Sequence, residues 1–145
     1  LPLVQALARP PERVIRVFGE CPLAEAVDKF DRDIRTFLER GGQVPLGLLG
    51  LGADGHTASL FSKEHIDQSR GRYAIAVQRP DGMNGVSVTP DTLAHVQRVV
   101  FLVAGAEKRE MLGRLLKDTL SIPAGLAVAD CKNVEVWCDS AANPV

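Results

Sequence analysis

The residues best suited to chemistry are an acid and an imidazole two positions apart, Asp54 and His56, in the stretch GLLGLGADGHTASLF at residues 47–61. Histidine can take and return a proton near neutral pH. A carboxylate such as Asp54 orients an imidazole and stabilises its protonated form. The chain has no Gly-x-Ser-x-Gly nucleophile motif and no cysteine beside a histidine. The pattern therefore predicts His56 as a general base that activates water, with Asp54 as its orienting partner.

The glycines of this stretch also allow a second interpretation. Gly50, Gly52 and Gly55 satisfy Gly-x-Gly-x-x-Gly, the fingerprint of dinucleotide-binding turns. That fingerprint requires a long helix directly after the glycines, whereas the polar, irregular residues 63–72 follow here. A purely structural turn explains the glycines but not the acid and the histidine among them. We therefore predict no dinucleotide cofactor.

Metal binding is disfavoured by spacing. His56 and His65 are too far apart for the His-x-x-x-His arrangement on one helix face, and Cys131 and Cys138 do not form a zinc pair. His65 lies in a polar stretch and His95 late in a short amphipathic segment, so both are typical of surface or core histidines. The sequence predicts neither a metal nor a cofactor.

A second candidate site lies in the segment FLVAGAEKREML. A strand, Gly105 and the start of a helix follow one another there. The first backbone amides of a helix have no partner and form a seat for anions. Lys108, in that first turn, adds a positive charge.

Apolar runs and helical periodicities alternate along the chain. Residues 22–40 place apolar side chains at threes and fours before Gly41, which is typical of an amphipathic helix. Further helices are predicted at residues 90–97 and 106–117, and strands at residues 14–18, 44–51, 73–77, 86–89, 99–104 and 133–138.

This order predicts an α/β fold with a mostly parallel, Rossmann-like sheet and flanking helices. Ligands of such sheets gather at the carboxyl ends of the strands. Residues 50–57 and 104–108 each follow a continuously apolar run and are therefore the expected site positions.

Length and composition set further limits. The chain has 145 residues, enough for one domain over residues 1–145, and a formal net charge of −1. Such a charge gives no electrostatic argument for nucleic acid or an anionic membrane as partner. Three cysteines without a Cys-x-x-Cys pair fit reduced thiols, so we expect a cytoplasmic protein. No apolar stretch is long enough for a membrane span.

The motifs GLGADGHTASLF, GVSVTPDTLAHVQRVVFLVAGAEKREML, IPAGL and VEVWCD occur in order between about residues 12 and 142. In these motifs and their order, the chain resembles the glucosamine-6-phosphate isomerase/6-phosphogluconolactonase family. The deaminases of that family carry a glutamate five residues after the histidine for ring opening, and this chain has Phe61 there. The resemblance therefore favours the lactonases over a deaminase-like enzyme.

The resemblance implies hydrolysis of 6-phosphoglucono-δ-lactone to 6-phosphogluconate, in the pentose phosphate pathway, without metal or cofactor. His56 and Asp54 would be the catalytic residues. Gly52, Gly55, Thr57 and Lys108 would bind the substrate, with Lys108 on the phosphate and the amides of Gly52 to Gly55 at the oxyanion.

Two departures from the family pattern leave alternatives open. Gly85 stands where the family usually has an arginine, so we expect either looser phosphate binding or a substitute in Arg72 or Arg79. The family's N-terminal strand and helix elements have no counterpart, which would expose strand edges. The alternatives are a non-catalytic module that binds sugar phosphates, and an inactive fragment that associates with itself or pairs with a missing N-terminal half.

Overall fold

A computed structural model describes residues 14–145. The strands are β1 Gly47–Gly50, β2 Ala74–Gln78, β3 Asn84–Val88, β4 Val99–Val103 and β5 Val134–Cys138. Strands β1, β4 and β5 form a three-stranded parallel sheet in the order β1-β4-β5, and β2 and β3 form a separate antiparallel ribbon. The α-helices are α1 Leu23–Glu39, α2 Lys63–Gln68, α3 Pro90–Leu93, α4 Arg109–Lys117 and α5 Pro123–Ala127. Short 3₁₀ helices at Ala106–Lys108 and Thr119–Ser121 flank α4.

The predicted α/β fold with its parallel sheet is confirmed. Gly50 of β1 lies opposite Leu102 of β4, and Leu102 lies opposite Trp137 of β5. Because all three strands run the same way, their carboxyl ends share one edge of the sheet. The segments that follow β1 and β4 therefore emerge side by side, as the sequence indicated.

Three of the predicted strands differ from the expectation of one mostly parallel sheet. The strands expected at residues 73–77 and 86–89 form, but they pair with each other outside the parallel sheet. Residues 14–18 have no regular secondary structure, because within residues 14–145 no strand pairs with them. A β-favouring composition does not form a strand without a partner ladder.

Helix α1 is joined to β2 by one buried carboxylate. Asp31 is 7% exposed and accepts hydrogen bonds from the backbone N–H groups of Tyr73 (2.7 Å) and Ala74 (3.1 Å). Burial alone would raise the pKa of Asp31, but these two hydrogen bonds and the charges of Arg35 and Arg72 together lower it below its ordinary value. An ionised carboxylate therefore fixes α1 on the ribbon.

The main core lies on one face of the parallel sheet, where Phe101 of β4 and Leu112 of α4 are fully buried. The opposite face is only partly covered: Val100 of β4 is 1% exposed there, but its neighbours on that face are not buried. Leu48, Leu102 and Trp137, on neighbouring strands and pointing to this face, are 60%, 47% and 56% exposed. In the described part of the chain, no strand pairs with the outer edge of β1.

None of the helices within residues 14–145 combines the length and the apolar character that crossing a bilayer requires.

Candidate active site

Strand β1 ends at Gly50, and the chain then turns back on itself within six residues. The Gly52 N–H donates to the His56 carbonyl (2.8 Å), and the Gly55 N–H donates to the Gly52 carbonyl (3.0 Å). These two bonds close a compact turn over residues 52–56. The turn places the His56 side chain directly over Gly52 at the carboxyl edge of the sheet.

The predicted catalytic pair is in contact. Asp54 Oδ1 lies 2.5 Å from His56 Nδ1 and also accepts from the His56 backbone N–H at 3.3 Å. Partial burial alone would raise the pKa of Asp54, but the hydrogen bonds from His56, together with the charge of its ring, lower it below its ordinary value. An ionised Asp54 favours the tautomer with the proton on Nδ1. Nε2 of His56 is then free to accept a proton.

Gly52 makes room for this pair. A Cβ atom added at Gly52 would lie well inside 3.0 Å of both the His56 ring and the Asp54 carboxylate, a separation that real Cβ atoms essentially never show. The backbone of Gly52 does not have a positive φ, so the need for glycine is one of space. Any side chain at this position displaces the imidazole.

Gly55 anchors the turn to the core. Its φ is +85°, a left-handed conformation that favours glycine. A Cβ there would lie 3.1 Å from Ile122 and 3.2 Å from the sulfur of Met111. The Gly55 carbonyl accepts from the backbone N–H of Ala124 (2.9 Å), at the start of α5. The turn is thereby held by α4 and α5 from below.

The substrate-binding role expected of Thr57 is not supported by its position. Its side chain is 1% exposed, and its hydroxyl donates to the Gly50 carbonyl (2.8 Å). The N–H groups of Gly52 and Gly55 are likewise engaged inside the turn. These three residues therefore build the turn. Within the turn, neither the Ala53 N–H nor the Asp54 N–H donates to an acceptor among residues 14–145, so both amides remain for a developing oxyanion.

Lys108 lies at the same sheet edge, one strand away from the His56 turn. Its ammonium forms no ion pair with the described residues. The anion seat predicted beside it is partly filled: the Gly105 N–H donates to Asp139 (3.1 Å), and the Glu107 carboxylate lies against Gly105. The positive charge of Lys108 is what remains for binding a phosphate.

Both arginines expected to replace the one missing at Gly85 are paired with carboxylates. Arg72 lies 2.8 Å from Asp28, and Arg79 lies 3.0 Å from Asp81. Of the two, Arg79 is beside Gly85: its side-chain carbons would be 3.7 Å from a Cβ there. The position next to Gly85 is thus occupied by the stem of an arginine.

Two residues of the site were missed in the sequence. The ring of Phe61 stacks on His56, with 4.4 Å between ring centroids, and His65 Nδ1 accepts from the Phe61 backbone N–H (3.2 Å). From the sequence, Phe61 served only to argue against a deaminase, because its side chain has no transferable proton. Ser62 was the available signal, since a serine three residues before His65 predicts the cap of α2, which it forms.

No group of three or more histidine, cysteine, aspartate or glutamate side chains within residues 14–145 is arranged to hold a metal ion.

Comparison with known proteins supplies the family. The sequence model described as glucosamine-6-phosphate isomerases/6-phosphogluconolactonase matches residues 2–137. The chain is 33% identical over 120 residues to a 6-phosphogluconolactonase of Treponema pallidum, covering 80% of this chain and 50% of that protein. It is 30% identical over 132 residues to the Homo sapiens 6-phosphogluconolactonase, covering 87% of this chain and 50% of that protein.

A solved structure agrees. The crystal structure of 6-phosphogluconolactonase from Thermotoga maritima superimposes with a TM-score of 0.76 at 30% sequence identity, covering 90% of this chain and 57% of that one. The chain spans about half the length of the curated relatives it matches.

Proposed function

Since this chain belongs to the glucosamine-6-phosphate isomerase/6-phosphogluconolactonase family, we propose that it carries the catalytic turn of a 6-phosphogluconolactonase. The reaction is the hydrolysis of 6-phosphoglucono-δ-lactone to 6-phosphogluconate. The observation that carries this proposal is the contact between Asp54 and His56 at the carboxyl end of β1. It leaves one basic nitrogen free at the edge of the sheet where ligands of α/β folds bind.

In the proposed mechanism, His56 Nε2 removes a proton from a water molecule as that water attacks the lactone carbonyl carbon. The carbonyl oxygen becomes an oxyanion, and the proposed donors to it are the Ala53 and Asp54 N–H groups, which are not engaged within the turn. In a serine protease, removing one such donor costs about 2.7–4 kcal/mol. The bond from this carbon to the ring oxygen then breaks, and His56 returns the proton to that oxygen. Asp54 stabilises the imidazolium between these two steps.

The phosphate of the substrate is assigned to Lys108, whose ammonium has no partner in the described part of the chain. Arg79 is the second cation for this group, because its stem lies beside Gly85. Arg72 is a poorer candidate, since Asp28 holds it and Asp31 lies 3.9 Å from it. The cytoplasm is the proposed location, supported by the free state of the cysteines at 21, 131 and 138.

A second candidate is favoured by the open sheet face. Leu48, Leu102 and Trp137 are exposed together beside the unpaired edge of β1. Such a surface is prone to association. We infer that the chain associates with itself or with a polypeptide that supplies the N-terminal half of its relatives. On this alternative, the isolated chain is an inactive fragment or a module that binds sugar phosphates without turnover.

Three measurements on the chain distinguish these functions. Hydrolysis of freshly generated 6-phosphoglucono-δ-lactone above its spontaneous rate supports the lactonase. Calorimetric binding of 6-phosphogluconate without any acceleration favours the binding module. Light scattering that shows concentration-dependent oligomers, with neither binding nor hydrolysis, favours the fragment and contradicts the lactonase for this chain.

A further inference from the structure

One face of the His56 imidazole is covered by an aromatic ring. The ring centroids of His56 and Phe61 lie 4.4 Å apart, and the planes are inclined by 45°. The His56 side chain is 28% exposed. Phe61 itself packs against the main hydrophobic core, so it is a fixed support for the imidazole.

A strained turn brings Phe61 back over His56. Ala58 has a φ of +50°, the only positive value of a non-glycine residue within residues 14–145. The Leu60 N–H donates to the Thr57 carbonyl (2.9 Å), which closes the turn, and Leu60 is fully buried. A left-handed alanine costs conformational energy and persists where its surroundings impose it. Here the reversal places the residue five positions after His56 on top of its ring.

Helix α2 holds Phe61 from the other side. The Ser62 hydroxyl caps this helix by accepting the His65 N–H (3.3 Å). His65 turns its ring back, and its Nδ1 accepts the Phe61 backbone N–H (3.2 Å). The backbone of Phe61 is therefore fixed between the Ala58 turn and the first turn of α2.

We propose that Phe61, held by His65, is a positioning residue for His56. The inference rests on the proposed function, in which His56 is the general base. Asp54 holds Nδ1, and Phe61 blocks one face of the ring, so the side chain is limited to a single orientation. Nε2 then points in one direction before substrate arrives. Positioning of this kind contributes to catalysis because it is in place before the reaction starts.

The first test is nuclear magnetic resonance of the histidine ring protons in the full chain, and it requires no activity. The His56 signal is assigned by its loss in His56→Gln. The aromatic ring current of Phe61 changes the chemical shift of the His56 ring protons. We expect this change in chemical shift to persist in Phe61→Tyr and to be lost in Phe61→Leu. An unchanged His56 signal in a folded Phe61→Leu protein overturns the proposal.

The second test is kinetic. Phe61→Leu is expected to lower kcat for the lactone about tenfold and to change KM by less than about twofold, whereas Phe61→Tyr restores kcat. Phe37→Leu, the same change on α1, is the matched control and is expected to leave kcat unchanged. A full kcat in Phe61→Leu contradicts the positioning role.

The two tests separate this proposal from the proposed function. A wild-type chain without lactonase activity refutes the function, while the ring-proton signal still decides whether Phe61 orients His56. If Phe61→Leu does not fold, His65→Ala replaces it, because it removes the acceptor of the Phe61 N–H. A smaller displacement of the His56 signal is then expected, and no change overturns the proposal.

Discussion

Replacing Gly52 with alanine is a one-atom test of the catalytic turn. The new Cβ would lie inside 3.0 Å of the His56 ring and the Asp54 carboxylate, while ordinary contact begins at 3.4 Å. The imidazole must therefore move by about an ångström, a misplacement that costs about 100-fold in rate. That factor corresponds to about 2.7 kcal/mol of transition-state stabilisation. The backbone conformation of Gly52 admits alanine, so we expect the protein to stay folded.

The assay is kcat/KM for 6-phosphoglucono-δ-lactone, with circular dichroism to show that the variant is folded. Gly50→Ala is the matched control, because a Cβ at Gly50 meets nothing within 4 Å. It makes the same chemical change two residues away and is expected to keep its activity. A folded Gly52→Ala protein with full kcat/KM would refute the role assigned to the turn, as would an equal loss in Gly50→Ala.

Three further predictions follow from the structure. Lys108→Ala should raise KM for the phosphorylated lactone about tenfold in steady-state kinetics, because the phosphate loses its cation. Lys117→Ala is the control and should leave KM unchanged. A KM of Lys108→Ala equal to that of wild type contradicts the phosphate assignment. Asp31→Ala should lower the free energy of unfolding at pH 7 by about 2–3 kcal/mol, because two buried N–H groups lose their acceptor. Since the pKa of Asp31 is lowered in the folded state, its contribution to the free energy of unfolding is complete above the ordinary value of 3.8 and is lost as pH falls through the folded-state pKa. Urea titrations of wild type and Asp31→Ala measure this contribution. A difference in unfolding free energy that does not shrink at low pH would refute the prediction. Cys131 should react more slowly with a thiol reagent than exposed Cys138, since burial, aided by the charge of Asp130, raises the pKa of Cys131; mass spectrometry of partly modified protein tests the order.

Local pattern was enough to predict that Asp54 and His56 lie together in a turn after β1, at the carboxyl edge of the sheet. β1 and β4 stand out in the sequence because they are continuously apolar, and parallel strands bring their carboxyl ends together. Asp54 and His56 are separated by a single glycine, so their contact depends only on the local turn. Both features depend on residues that are close together in the sequence.

What the sequence missed depends on partners distant in the chain or on side-chain direction. β2 and β3 were predicted as strands, but their pairing with each other in a separate ribbon, packed against α1, involves contacts between distant residues. The family resemblance implied Thr57 as a substrate ligand, but its buried hydroxyl donates to the Gly50 carbonyl. The chain brings Phe61 onto His56 through Ala58, which has a left-handed backbone conformation. Alanine rarely adopts this conformation, so the sequence did not predict the contact.

The role of His56 is decided by the rate of lactone hydrolysis by the wild-type chain and by His56→Ala. His95→Ala is the control, because His95 contacts Tyr73. We expect hydrolysis above the spontaneous rate to disappear in His56→Ala and to be kept in His95→Ala. Equal rates for the wild type and His56→Ala would contradict the assignment of His56 as the base that activates water.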